Sequence, residues 1–247
     1  MNFFFEIYKD IPREGPGENK FTKMAFNMLT GLDEQVKMLN IGCGSGEHTV
    51  ELVNNVDGQI YIMDGYEPFL NKIDKYAEEK GLSDKVQTVF ESYYELDKHF
   101  EQEFFDVIWA EDSINIIGFE NALNDWEKYL KKDGYMVIID ISWLKSNLPE
   151  EVVGFWSEKY PHMKRVDENM ILIESSGYKV VGTITLPEKI CWEKYYEPVT
   201  NNIETLREKF RNDLEKNQEL NELESYLQMY NKYSEYYGYV FYIMQKI

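Results

Sequence analysis

Short apolar runs separated by amphipathic stretches recur along the chain. Runs at 38–42, 60–64, 86–90, 105–110 and 135–141 are rich in Ile, Val, Leu and Met and predict strands. Between them, 47–54, 67–80 and 120–131 place apolar residues at helical spacing and predict helices. Strands alternating with helices imply a parallel, doubly wound α/β sheet. Further on, LPEEVVGFWSEKY and VDENMILIESSG predict two helices, YKVVGTITLP a sixth strand and YGYVFYIMQK a seventh. Ahead of the first strand, the turn-forming EGPGEN precedes FTKMAFNMLTGL, whose apolar residues fall at helical spacing. The expected organisation is one domain over residues 1–247. It has a helical N-terminal cover (1–36), a ligand-binding half (37–143) and a C-terminal half (144–247) with a charged helical insertion at about 200–236.

The run MLNIGCGSGEHTVEL breaks a strand with Gly42, Gly44 and Gly46 and then turns helical. Glycine at alternate positions lets the backbone adopt left-handed angles and approach a ligand closely. The helix that follows aims its free N–H groups into that turn. The spacing G-x-G-x-G departs from the dinucleotide pattern G-x-G-x-x-G, which suits a nucleoside without a pyrophosphate and disfavours a nicotinamide-dependent oxidoreductase. Eighteen residues after Gly46, IYIMD delivers Asp64 at the end of a second strand. A carboxylate there can accept both ribose hydroxyl hydrogens.

With these two motifs the chain resembles the class I S-adenosylmethionine-dependent methyltransferases from about Lys37 to Trp143. FDVIWAEDSINII looks like the family's fourth strand and site loop. WEKYLKKDGYMVIIDISW looks like a helix, a Lys-Asp-Gly turn and strand five. Over nearly the whole chain, REGPG, WAEDSINIIGFE, LPEKICWEKYYEP and YYGYVFYIMQK resemble a bacterial group of small-molecule methyltransferases without a settled substrate. The resemblance implies a Rossmann-like, mostly parallel seven-stranded sheet with the last strand antiparallel between five and six. It also implies S-adenosylmethionine as cofactor and a small organic acceptor.

The resemblance assigns Gly42, Gly44 and Gly46 to the methionine and ribose side, Asp64 to the ribose, and Gly65 and Tyr66 to the adenine pocket. Ser92 and Tyr93 follow the third strand, where many relatives carry an acid that pairs with the adenine amino group. Asn40 stands where strand one often carries an acid near the cofactor's amino group, and Glu111 or Asp112 could supply that charge. Arg13 is a candidate partner for the cofactor's carboxylate or else a surface residue. Methyl transfer from a sulfonium demands neither a nucleophilic residue nor a metal. A base is needed only for a protonated acceptor, and Glu111 and His162 are the candidates. His48 is placed near the cofactor by its position, with exposure as its default. Trp192, Tyr195 and Tyr196 are candidates for the acceptor pocket or for edge packing. The insertion, with Tyr226, Tyr230, Tyr233, Tyr236 and Tyr237, reads as a solvated helical pair or as a lid with an aromatic underside.

Composition narrows the classes. A formal net charge of −19 without a Lys/Arg cluster disfavours nucleic acid, and AEDS replaces the Asn/Asp-Pro-Pro-aromatic motif of amide- and adenine-modifying relatives. Cys43 and Cys191 are too few for a disulfide framework, a structural zinc site or arsenite chemistry. MNFFFEIYKD lacks the basic lead and long apolar run of a secretory signal, and no stretch approaches a membrane span, so a cytoplasmic location is expected. A cofactor-binding regulatory protein without turnover is the alternative function, because fold and loop do not establish chemistry.

Overall fold

The structure is a computed structural model that describes residues 3–8 and 10–247; Met1, Asn2 and Lys9 of the expected N-terminal cover lie outside the described residues. Seven strands form one sheet in the order β3-β2-β1-β4-β5-β7-β6. β1 (Val36–Ile41), β2 (Gly58–Asp64), β3 (Val86–Phe90), β4 (Phe105–Ala110) and β5 (Leu130–Trp143) are parallel. β7 (Tyr237–Lys246) inserts antiparallel between β5 and β6 (Tyr178–Thr185). The strand order reverses between β1 and β4, and in such sheets ligands bind in the crevice outside that switch point.

Alternate residues of the strands feed two cores, as burial on both faces of a parallel sheet requires. On one face Met38, Val107 and Val137 pack with Leu52 of α3 (Glu47–Asn55), Ile73 of α4 (Glu67–Lys80) and Ala25 of α2 (Asn19–Phe26). The same core continues to Ile203 of α9 (Glu197–Lys209) and Leu227 of α10 (Leu214–Tyr233). On the other face Leu39, Ile108 and Met136 pack with Trp126 of α5 (Phe119–Trp126) and Ile173 of α7 (Val166–Ser175). The described part of the N-terminal segment also contributes α1 (Phe3–Ile7), and α6 (Glu150–Lys159) follows β5.

Three expectations are corrected. The α-helix expected over 120–131 stops at Trp126 and runs on as a 3₁₀ turn over Glu127–Tyr129, and β5 already begins at Leu130. The Lys-Asp-Gly turn is instead an irregularity inside that strand. Leu130 pairs with Phe105 and Tyr135 with Val107, so five β5 positions oppose two on β4, with Asp133 at φ 61°. Lys131 holds the protrusion by pairing with Asp106 at 2.8 Å. The C-terminal insertion also starts earlier than expected, with α8 (Glu188–Cys191) and a π-helical turn over Trp192–Tyr196 running directly into α9.

Candidate active site

The ends of β1, β2, β3 and β4 open onto a cavity of about 610 Å³. Gly42, Gly44 and Gly46 take φ of 76°, 51° and 99°, the left-handed region that side-chain-bearing residues resist. A Cβ at Gly44 would collide with the Glu14 carboxylate, and one at Gly42 with Ser113. Gly42 and Gly44 line the cavity. Gly46 does not; it starts α3, and a Cβ there would lie 2.5 Å from Cδ1 of Ile73, so packing of the helix against α4 explains that glycine. The turn carrying Arg13 and Glu14 folds over the loop. Ser45 N–H donates to Oε2 of Glu14 at 2.7 Å, and the Ser45 hydroxyl donates to the Pro12 carbonyl at 2.5 Å.

Asp64 stands at the end of β2 and lines the same cavity. Its carboxylate accepts N–H bonds from Gly44 at 3.2 Å and Tyr66 at 2.8 Å. Burial raises its pKa, and those two bonds oppose the rise. A carboxylate has about four lone-pair sites, and Cys43 engages this one as well, so ribose hydroxyls would take the acceptor sites that remain. Gly65, Ser92 and Tyr93 line the wall, joined by Phe69, Phe90 and Glu91. Glu91 supplies an acid one residue before Ser92, its Oε1 accepting the Ser92 N–H at 3.0 Å. Tyr66 is outside the lining and packs edge-on against Phe69, with ring centroids 5.0 Å apart.

At the β4 end, Glu111 is buried, accepting from Nη1 of Arg13 at 2.7 Å and from the Trp109 indole N–H at 2.9 Å. Arg13 also donates from Nε to Glu47 at 3.0 Å and from Nη2 to Asn19 at 2.6 Å. Burial pushes the Glu111 carboxyl up, but the Arg13 guanidinium charge, with the hydrogen bonds from Trp109 and Arg13, more than reverses this and holds it below its ordinary range. An ion-paired carboxylate of lowered pKa is a poor proton acceptor, which removes Glu111 from the role of base. His48 is buried, contrary to its default; burial lowers it to about 4, so the ring is neutral, and its Nε2 has no partner among the described residues. Asn40 lies beneath this layer and not on the cavity, its Nδ2 donating to Thr49 at 2.8 Å.

A second cavity of about 480 Å³ opens over the ends of β5 and β7. It shares Glu14, Gly15, Asp112 and Ile116 with the first. Tyr195 and Tyr196 of the π-helical turn line it, as do Tyr226 and Leu227 from the underside of α10. Tyr8, Trp156, Tyr160 and Tyr239 complete an aromatic wall. Tyr196 bonds Tyr239 hydroxyl to hydroxyl at 2.7 Å, and Tyr8 meets Tyr195 at 3.2 Å. Burial pushes the phenols of Tyr195, Tyr196 and Tyr239 well above their ordinary value, so all three stay neutral. Three carboxyls line this space, Glu14, Asp112 and Asp140. Asp140 accepts the Tyr160 hydroxyl at 3.1 Å, and burial raises it to about 7. Burial and then the Glu111 charge raise Asp112 to about 8. Asp112 sits at φ 57°, a conformation that Asp tolerates better than most residues.

His162 lies exposed after α6, outside both cavities; Tyr160, two positions earlier, is the residue that turns inward. Trp192 is half-buried behind Tyr196, the rings stacked with centroids 6.3 Å apart, and does not reach the cavity. Sequence reasoning missed Glu14, Phe90, Asp140, Tyr160 and Tyr239. Only Glu14 carried a local signal, because it lies inside the REGPG turn.

Residues 32–202 match a family model described as a methyltransferase domain. Over 179 residues the chain is 24% identical to sterol 24-C-methyltransferase erg6 of Aspergillus fumigatus, covering 67% of this chain and 46% of that protein, less than half of the relative's length. Two solved structures superpose with a TM-score of 0.82. One is a SAM-dependent methyltransferase of Geobacter sulfurreducens in complex with S-adenosyl-L-homocysteine, 17% identical and covering 100% of this chain and 98% of that one. The other is YjhP from E. coli, 18% identical and covering 100% of both chains. At these identities the likeness speaks to the fold.

Proposed function

The chain belongs to the methyltransferase domain family, and from that premise we propose that it moves a methyl group from S-adenosylmethionine to a small organic acceptor. The observation that carries the reading is the pair of adjoining cavities with a common wall of Glu14, Gly15, Asp112 and Ile116. Displacement at a methyl carbon needs donor and acceptor held in line in a water-poor space. The glycine-loop cavity fits the cofactor. Its left-handed turn leaves no room for a Cβ, Asp64 retains acceptor capacity for ribose hydroxyls, and the orphaned Nε2 of His48 lies beside it. When bound, the sulfonium supplies an activated methyl group and departs as a neutral thioether.

In this reading Gly42 and Gly44 admit the ligand to the backbone, and Asp64 orients the ribose. Phe90, Ser92 and Tyr93 bound the base. The Arg13–Glu111 pair fixes the turn that closes the site. The aromatic wall and the underside of α10 cover the acceptor and exclude water. The charge of −19 turns the enzyme away from nucleic acid. Among the described residues no helix is long and apolar enough to cross a membrane.

Thermal unfolding with and without S-adenosylmethionine and S-adenosylhomocysteine tests the cofactor, since a ligand selective for the folded state raises the midpoint. Incubation with S-adenosylmethionine and a metabolite extract tests turnover. Acceptor-dependent S-adenosylhomocysteine formation supports the enzyme. Binding without it favours a regulatory protein, and an unmoved melting curve at saturation removes the cofactor assignment.

A further inference from the structure

The second cavity is acidic as well as aromatic. Lys159 is the basic residue on its lining among the described residues, and it is paired with Glu222. Against it stand Glu14, Asp112 and Asp140. Glu14 is engaged by the Ser45 N–H, and Asp140 accepts the Tyr160 hydroxyl. The Asp112 carboxylate accepts no hydrogen bond among the described residues, although Gly15 presses so closely that a Cβ there would strike it. Asp112 is held at a left-handed φ on the wall that separates the two cavities. A carboxyl without a donor, partly exposed on the cavity wall and kept in a sparsely populated backbone conformation, is strained, and such strain concentrates at binding and catalytic positions.

Resting on the methyltransferase reading, we propose that the acceptor is a compact organic amine, bound as its ammonium between the aromatic wall and the carboxylates of Asp112 and Asp140, and that Asp112 takes its proton. The aromatic rings on this lining, Tyr195, Tyr196 and Trp156 among them, suit a cation, because a π system attracts positive charge. The carboxylates supply the opposite charge that an alcohol or an anion would leave uncompensated. In the reaction one ammonium proton passes to the Asp112 carboxylate. The freed nitrogen lone pair forms the N–C bond to the methyl carbon. The C–S bond of the sulfonium breaks, its electron pair goes to sulfur, and the product is the methylated ammonium. Tertiary amines carry a lone pair after the same single proton loss, so all three substitution levels fit.

Several groups set the proton affinity of Asp112. Glu111, Asp140 and Glu14 raise it, and Arg13 lowers it. Burial is the largest effect, so the empty site holds Asp112 protonated near neutrality. Binding an ammonium beside it therefore expels that proton, which makes proton release a signature of the site.

The test is calorimetry on the full chain saturated with S-adenosylhomocysteine. The probes are phenethylamine, tyramine and N,N-dimethylbenzylamine, set against 2-phenylethanol and 3-phenylpropanoate. The expected result is amine binding at least about tenfold tighter than either isostere. Titrations in buffers of different ionisation enthalpy should show proton release on amine binding near neutral pH. Asp112→Asn, which tolerates the left-handed backbone, should cut the release to the smaller part that Asp140 supplies and weaken the preference. Asp140→Asn should weaken amine binding while keeping most of the release. Equal or tighter binding of an isostere, absence of binding by every amine at millimolar concentration, or undiminished release in Asp112→Asn overturns the proposal. If S-adenosylhomocysteine itself binds while the amines do not, the amine assignment falls and the methyltransferase reading stands. If S-adenosylhomocysteine fails to bind, both fall.

Discussion

Arg13 and Glu111 lie 98 positions apart and meet at 2.7 Å with both side chains almost wholly buried. The contact ties the N-terminal turn to the end of β4, and with it the roof of one cavity to the wall between two. Truncating one member of such a pair strands the other. Glu111→Leu leaves both the guanidinium and the Trp109 indole N–H without that acceptor, so a loss of about 3–5 kcal/mol is expected in urea unfolding. Glu47→Gln removes the half-exposed partner of the same arginine and should cost less than about 1 kcal/mol. Comparable losses in the two variants would show that the buried contact carries no special weight.

Asp64 is expected to matter through binding. Asp64→Ala removes the acceptor for the Gly44 and Tyr66 N–H groups and for the proposed ribose hydroxyls. Affinity for S-adenosylhomocysteine should fall by about 2–4 kcal/mol, the range for charge-assisted bonds. Unchanged affinity by calorimetry moves the ribose site elsewhere.

Gly44→Val attacks the loop itself. The residue sits at φ 51°, where a β-branched side chain is strained, and its Cβ would meet Glu14. The turn is at the surface of the cavity and away from the sheet core, so the fold should survive while cofactor binding is lost. A folded Gly44→Val protein, checked by circular dichroism, that binds normally would make the turn merely structural.

The raised pKa of Asp112 has a consequence for stability. Folded, the carboxyl titrates at about 8 because it is buried beside Glu111; unfolded, it titrates near its ordinary 3.8. Between those values the folded protein binds the extra proton, so stability falls as pH rises through the window. Asp140, raised by burial to about 7, acts in the same direction. Asp112→Asn should therefore raise the melting temperature of the ligand-free protein, and by more at about pH 9 than at about pH 5. Parallel melting profiles for wild type and variant across that range contradict the buried charge.

What could be read from the sequence follows from how local each feature is. The glycine turn and Asp64 are set by a few adjacent residues and by a strand end, so alternation and spacing suffice. Asp140 sits inside the apolar run MVIIDISW, and only pairing of β5 with β7, Asp140 opposite Val240 and Ile141 opposite Tyr239, places it beside the tyrosines. Tyr8 and Tyr195 meet across 187 positions. Residue type alone misdirects where burial decides. His162 has base chemistry but lies in solvent, whereas His48 is buried against the pattern of an exposed helix start. Asn40 follows the strand period, and that period turns its side chain toward Thr49 of α3. The KKDG segment has turn composition, yet neighbouring strands absorb it as an irregularity because Lys131 can reach Asp106.

The aromatic cover separates acceptor use from cofactor binding. Tyr196 lines the acceptor cavity, stacks on Tyr230 with centroids 4.0 Å apart and bonds Tyr239, whereas Trp192 reaches the site only through its stack on Tyr196. Neither residue lines the glycine-loop cavity. Tyr196→Ala opens the acceptor cavity to water and loosens the placement of the attacking atom, a defect worth tenfold or more in rate, on the order of 1.4 kcal/mol. Trp192→Ala should have a smaller effect in the same sense. The check is kcat/KM for an acceptor alongside Kd for S-adenosylhomocysteine in each variant, with cofactor affinity expected to stay near that of the wild type. Equal losses in both constants would mean general destabilisation of the fold. Wild-type turnover in Tyr196→Ala would take the aromatic wall out of the acceptor site.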